Sequence, residues 1–134
     1  MFAMLLNTEQ RKEFIKLVYY LAKCDNYIHQ KEKELIEHYL YETMLSPDDV
    51  VMDEDSIDFE KLRNIFNESR ARKIVLIELV TLASIDMNLS SDEYDFILKL
   101  SEVFEIERKE LDKFIEFGKR LVKIIEEANS LINK

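Results

Sequence analysis

With 134 residues the chain has room for one domain with a continuous core, and 47% hydrophobic against 35% charged residues exclude a disordered polymer. A formal charge of -9 argues against nucleic acid and anionic lipid, which need a basic face, and leaves cations and basic protein surfaces as partners. One Gly and one Pro are too few for the tight turns of a sheet protein, so the expected fold is all-α, a single-domain bundle of about six or seven helices.

The charge is unevenly spread. Residues 1–40 carry six acids and six bases, residues 41–70 nine acids and three bases, and residues 71–134 thirteen acids and ten bases. The single cysteine, Cys24, excludes an internal disulfide and supplies no metal-ligand spacing, which fits a reducing cytoplasm. The opening run Met1-Phe2-Ala3-Met4-Leu5-Leu6 has no basic flank and stops at Asn7, far short of a signal peptide or membrane span. It reads as a strap packed on the core.

Thr8 is the expected N-cap of a first helix whose Phe14, Leu17, Val18, Leu21 and Ala22 recur at steps of three and four, and which should end near Asp25. A second helix is predicted from Gln30 to Thr43, with Leu35, Ile36, Tyr39 and Leu40 inward and Ser46-Pro47 as its stop. These make a first helix-turn-helix unit over 8–43. An acidic connection over 44–56 follows. Tested as a calcium loop from Asp49, it puts Val51 at a ligand position and Glu54 where Gly is needed, so it reads as a solvated loop with one helical turn at most.

A short helix should then turn Phe59, Leu62, Ile65 and Phe66 inward. The almost wholly apolar run Ile74 to Ile85, without turn residues, predicts a central helix surrounded on all sides. With the helix begun by Ser90-Ser91-Asp92-Glu93 it forms a second unit over 70–104. A C-terminal helix over 107–130 carries Leu111, Phe114, Ile115, Gly118, Leu121, Val122 and Ile125 as its stripe. Gly118 either lets another helix approach closely or marks a kink.

One stretch is used twice, 61 positions apart: Leu21-Ala22-Lys23-Cys24-Asp25-Asn26-Tyr27-Ile28, with Glu32 four residues on, and Leu82-Ala83-Ser84-Ile85-Asp86-Met87-Asn88-Leu89, with Glu93 four residues on. Each is helix, tight turn, helix. Asp25 and Asp86 fall at helix C-terminal ends, where a carboxylate is disfavoured by roughly 0.3–1 kcal/mol, while Glu32 and Glu93 fall in first turns, where it is favoured. If the two units pack about a pseudo-twofold axis, Asp25, Glu32, Asp86 and Glu93 gather into an oxygen-rich site for a divalent cation such as calcium, magnesium or manganese. The competing account is purely structural. Ser90 and Glu93 have capping-box spacing, His29 heads the equivalent turn before Glu32, and the aspartates can accept bonds from turn amides.

No catalytic signature stands beside this. His29 and His38 fit no zinc pattern, Cys24 beside Asp25 is a core residue rather than a reactive thiolate, and one Gly cannot build a phosphate loop. Tyr19-Tyr20 and Tyr39/Tyr41 offer an aromatic patch or ordinary core packing.

The paired turns resemble those of the tellurite-resistance protein B (TerB-like) family, which includes a region of a DnaJ-like membrane co-chaperone, and the resemblance covers roughly Phe14 to Phe117. Asp25, Ile28 and Glu32 match the family pattern, as do Asp86, Leu89 and Glu93. The chain departs at the pattern's Gly, which is Asn26 and Met87, and at the preceding Ala, which is Cys24 and Ile85. Met enters the left-handed region poorly, so the second turn is expected to differ, with Asn88 taking that place. The resemblance implies an all-helical module in a stress-response or envelope-linked setting, with a metal site and no reaction. The expectation is a non-enzymatic, cytoplasmic module that holds a divalent cation. Alternatives are an ion-independent protein-binding module using an acidic or aromatic face, and a hydrolase with metal-activated water.

Overall fold

The computed structural model describes residues 1–24, 30–50, 57–85 and 89–134. Six α-helices account for most of them: α1 Thr8–Ala22, α2 Gln30–Thr43, α3 Phe59–Ile65, α4 Ser69–Ser84, α5 Ser91–Val103 and α6 Arg108–Ile132. Two 3-10 turns, Ala3–Leu5 and Pro47–Asp49, precede α1 and follow α2, and no strand occurs among the described residues. The all-α expectation holds.

Local chemistry sets the boundaries. Asn7, not Thr8, caps α1: its Oδ1 accepts from the Gln10 amide at 2.9 Å, and the Asn7 amide donates to Gln10 Oε1 at 3.1 Å. Thr8 is displaced because only Asn7 has a Gln three residues on to complete the reciprocal pair. The second helix ends at Thr43, ahead of Ser46-Pro47, because Met44 turns left-handed (φ 59°) and the Leu45 amide reaches back to the Leu40 carbonyl at 3.0 Å. The end of α5 repeats the device, with Glu105 at φ 60° and the Ile106 amide on the Ser101 carbonyl at 2.9 Å. Pro47 opens the 3-10 turn that the acidic connection contains, while residues 51–56 lie outside the described residues.

The almost wholly apolar run lies in α4, which begins five residues earlier than the run, at Ser69, and Val75, Leu76, Leu79, Val80 and Leu82 are all sealed from solvent. It touches α1, α5, α6 and the N-terminal 3-10 turn. The strap is real: Ala3 and Leu6 are buried, and the Phe2 amide donates to the Glu78 carboxylate at 2.8 Å. Met1's amine also pairs with Glu42 and Glu78.

Aromatic contacts join the layers. Phe14 meets Tyr39 edge-on at 5.2 Å between α1 and α2, Tyr20 meets Phe96 at 4.7 Å between α1 and α5, and Phe59 meets Phe96 at 6.2 Å between α3 and α5. The inward residues of α3 pack as expected, with Leu62 and Phe66 buried. Arg72 clamps three ends together, donating to the Phe66, Phe104 and Arg63 carbonyls while its guanidinium lies 5.6 Å over the Phe104 ring.

Helices α4 and α6 run parallel. Lys73 pairs with Glu110 at 3.0 Å, and seven residues along α4 a Cβ at Gly118 would sit 3.3 Å from the Val80 carbonyl oxygen. Of the two accounts of Gly118, close approach is the one realised. At this register the end of α4 lies beside Val122, and α6 continues through Ile132, about 15 Å further at 1.5 Å per residue.

Candidate functional site

The two helix hairpins, α1–α2 and α4–α5, turn at one end of the bundle. Lys31 in the first turn of α2 pairs with Glu126 of α6 at 3.4 Å, about one helical turn beyond the α6 residue that flanks the end of α4. The Tyr20–Phe96 contact draws the end of α1 to the second turn of α5. Glu32 and Glu93 therefore begin helices at the same end.

Both occupy the third position of their helix, and both are almost sealed, at 3% and 4% exposure. Of the other first-turn acids of the α-helices, Glu9, Glu60 and Asp92 are exposed and Glu110 is half-buried. A carboxylate is buried this deeply only when partnered. For Glu93 one partnership is the capping box: its Oε1 accepts from the Ser90 amide at 3.2 Å, and its own amide donates to Ser90 Oγ at 3.1 Å. Capping at this turn is realised as the spacing indicates. Asp25, His29 and Asp86 lie outside the described residues, as do Asn26, Met87 and Asn88. Among the described residues no group of three or more His, Cys, Asp or Glu is placed to hold a metal ion.

Two further buried polar residues, Ser84 and Glu78, lie on α4. Ser84, the last residue of α4, is 3% exposed, and its hydroxyl has no hydrogen-bond partner among the described residues. Glu78 is 1% exposed at the middle of α4. The signal for both was a polar letter inside the apolar run. Beside Glu78, the Tyr39 hydroxyl donates to the Glu78 carbonyl at 3.1 Å. Burial, followed by the charge of Glu78, pushes the Tyr39 pKa well above the usual tyrosine range. At the surface, Asp49 lies below the carboxylate range because it accepts bonds from the Ser46 amide and hydroxyl.

The remaining candidates resolve simply. Cys24 is half-buried and packs against the core, with Sγ 3.5 Å from the Tyr20 carbonyl. His38 is exposed, 3.9 Å from Glu42. Tyr39 is buried and Tyr41 is 85% exposed, so the pair makes no aromatic patch. At the opposite end of α4, Phe2, Leu5, Ile74 and Ile77, rimmed by Arg70 and Lys73, line an open groove of about 590 Å³. Among the described residues no helix is long and apolar enough to cross a membrane.

Compared with known proteins, the chain matches no family model, no curated protein and no solved structure.

Proposed function

We propose that the chain is a non-enzymatic helical module of TerB-like type that binds a divalent cation where its two hairpins turn, through Asp25, Glu32, Asp86 and Glu93. The observation that carries this is the matched burial of Glu32 and Glu93, two carboxylates in equivalent first turns at one end of the bundle. A cation there would add to the partners that Glu32 and Glu93 already have, and would offset the cost of carboxylates at Asp25 and Asp86 following helix C-termini. The Ser84 hydroxyl, without a hydrogen-bond partner among the described residues, adds a neutral oxygen near the second turn. The TerB-like assignment and the stress-response or envelope-linked setting rest on the motif residues alone.

The test is the thermal midpoint of chelator-treated protein scanned with calcium, magnesium and manganese at constant ionic strength. An ion bound only by the folded state, at one hundred times its dissociation constant, adds about 2.7 kcal/mol. A saturating rise with one cation that disappears in the Asp25→Asn/Asp86→Asn variant is expected. An unmoved midpoint with all three reduces the four carboxylates to caps and turn residues.

A second reading, protein docking without an ion, is favoured by the groove of Phe2, Leu5, Ile74 and Ile77, whose Arg70 and Lys73 rim suits an acidic, apolar segment. Binding of a partner that persists in chelator distinguishes it.

A further inference from the structure

The groove on α4 changes character along its length. Arg70, Ile74 and Ile77 recur at steps of four and three and so share one face, spanning about 10 Å of helix. The Ile77 end is apolar, and Phe2 is held near it because its amide is bonded to Glu78. The other end, where α4 starts, carries Ser69, Arg70 and Lys73. The wall opposite is preformed: burial of Ala3 and Leu6 and the Met4 amide on Glu42 at 3.1 Å fix the strap, leaving Phe2 39% and Leu5 54% exposed beside the cleft.

The charge at the start of α4 does not serve the helix. No side chain caps this end and no acid lies in its first turn, while bases there oppose the helix dipole. Arg72 is turned to the carbonyls of Phe66, Phe104 and Arg63, and Lys73 is paired with Glu110. Arg70 is exposed and in no ion pair among the described residues. The residues three and four away from it are Phe66, Asn67, Lys73 and Ile74, none of them acidic. Glu68, two positions away, does not share its face. In a chain of formal charge -9 this is a cationic corner without a use in the fold, and an anion placed there meets both Arg70 and the positive end of the helix.

We infer that the groove binds a fatty acid, with its acyl chain along Leu5, Ile74, Ile77 and Phe2 and its carboxylate at Arg70 and the start of α4. A volume of about 590 Å³ is that of a small-ligand site. One charged end and one apolar end match a single head group and tail. The acidic, apolar segment of the second reading above would instead spread its charges along its length. The site lies away from the hairpin turns and needs no cation there.

The probe is decanoate, titrated far below its micelle concentration into the full chain in chelator and followed by calorimetry and by backbone amide shifts. The expected result is binding of one decanoate per chain, with shifts at Phe2, Leu5, Arg70 and Ile77, and binding of decanol at least tenfold weaker. Arg70→Glu and Leu5→Asp, both at exposed sites, should each weaken decanoate at least tenfold with the melting midpoint unchanged. Equal binding of acid and alcohol, or undiminished binding by Arg70→Glu, overturns the inference. So do shifts confined to the exposed Ile124 and Leu131 of α6. Absence of binding overturns it too, and if an acidic amphipathic peptide shifts the same amides instead, the groove is a protein-docking site.

Discussion

Tyr39 lies between two carboxylates and a closed core. Its ring packs on Phe14, its hydroxyl is bonded to the Glu78 carbonyl, and its pKa is raised by burial first and by Glu78 second. In the unfolded chain it titrates at the ordinary tyrosine value of about 10, so protons leave the unfolded state first as pH rises. The stability this creates is complete below that pH and falls as pH climbs toward the folded value. Stability should therefore drop above about pH 10, and Tyr39→Phe should flatten the drop while losing roughly 1 kcal/mol at pH 7 with its hydrogen bond. Urea midpoints of the two proteins at pH 7 and above 10 check both signs.

Residues also show where the sequence stopped being informative. Tyr39 and Tyr41 look equivalent as letters, but two residues apart on a helix they point about 200° apart, so one is core and the other solvent. Met44 and Glu105 could not be read as helix terminators, because neither type favours the left-handed region and only tertiary packing places them there. Glu32 and Glu93 were legible through their positions after each turn. Ser84 was not, since a serine in an apolar run reads equally well as a hydroxyl returned to the preceding turn.

Among elements, the α4–α6 contact depends most on a single position. Gly118 is opposed by the backbone carbonyl of Val80, and α4, enclosed by its neighbours, has no direction in which to give way. Gly118→Leu gains helix propensity worth about 1 kcal/mol but must force the two backbones apart, and a net loss of roughly 2–3 kcal/mol is expected. Chemical denaturation measures it, and equal stability would mean that α6 slides freely on α4. Period-3.6 patterning placed α2 and α6 nearly at their observed extents because each has an apolar stripe, whereas the apolar run from Ile74 marked only the later part of α4, whose first turn, Ser69 to Lys73, is polar but for Ala71. The same patterning could not reveal that the stripe of α6 outlasts its cover, since an apolar letter is the same whether buried or bare.

Across the whole molecule, α4 draws on both halves of the chain. It meets α1 and the N-terminal strap from one side of the acidic connection, and α5 and α6 from the other. Its apolar girdle is therefore completed only when residues 1–50 and 57–134 come together. The two segments, expressed as separate polypeptides, should find each other without a covalent link: a tag on one should retrieve the other, and the mixture should regain the helical signal that 57–134, left with a bare face on α4, holds only in aggregated form. The chain's connectivity across residues 51–56 would then be a matter of local concentration, and the recognition that assembles the fold would reside in α4 itself.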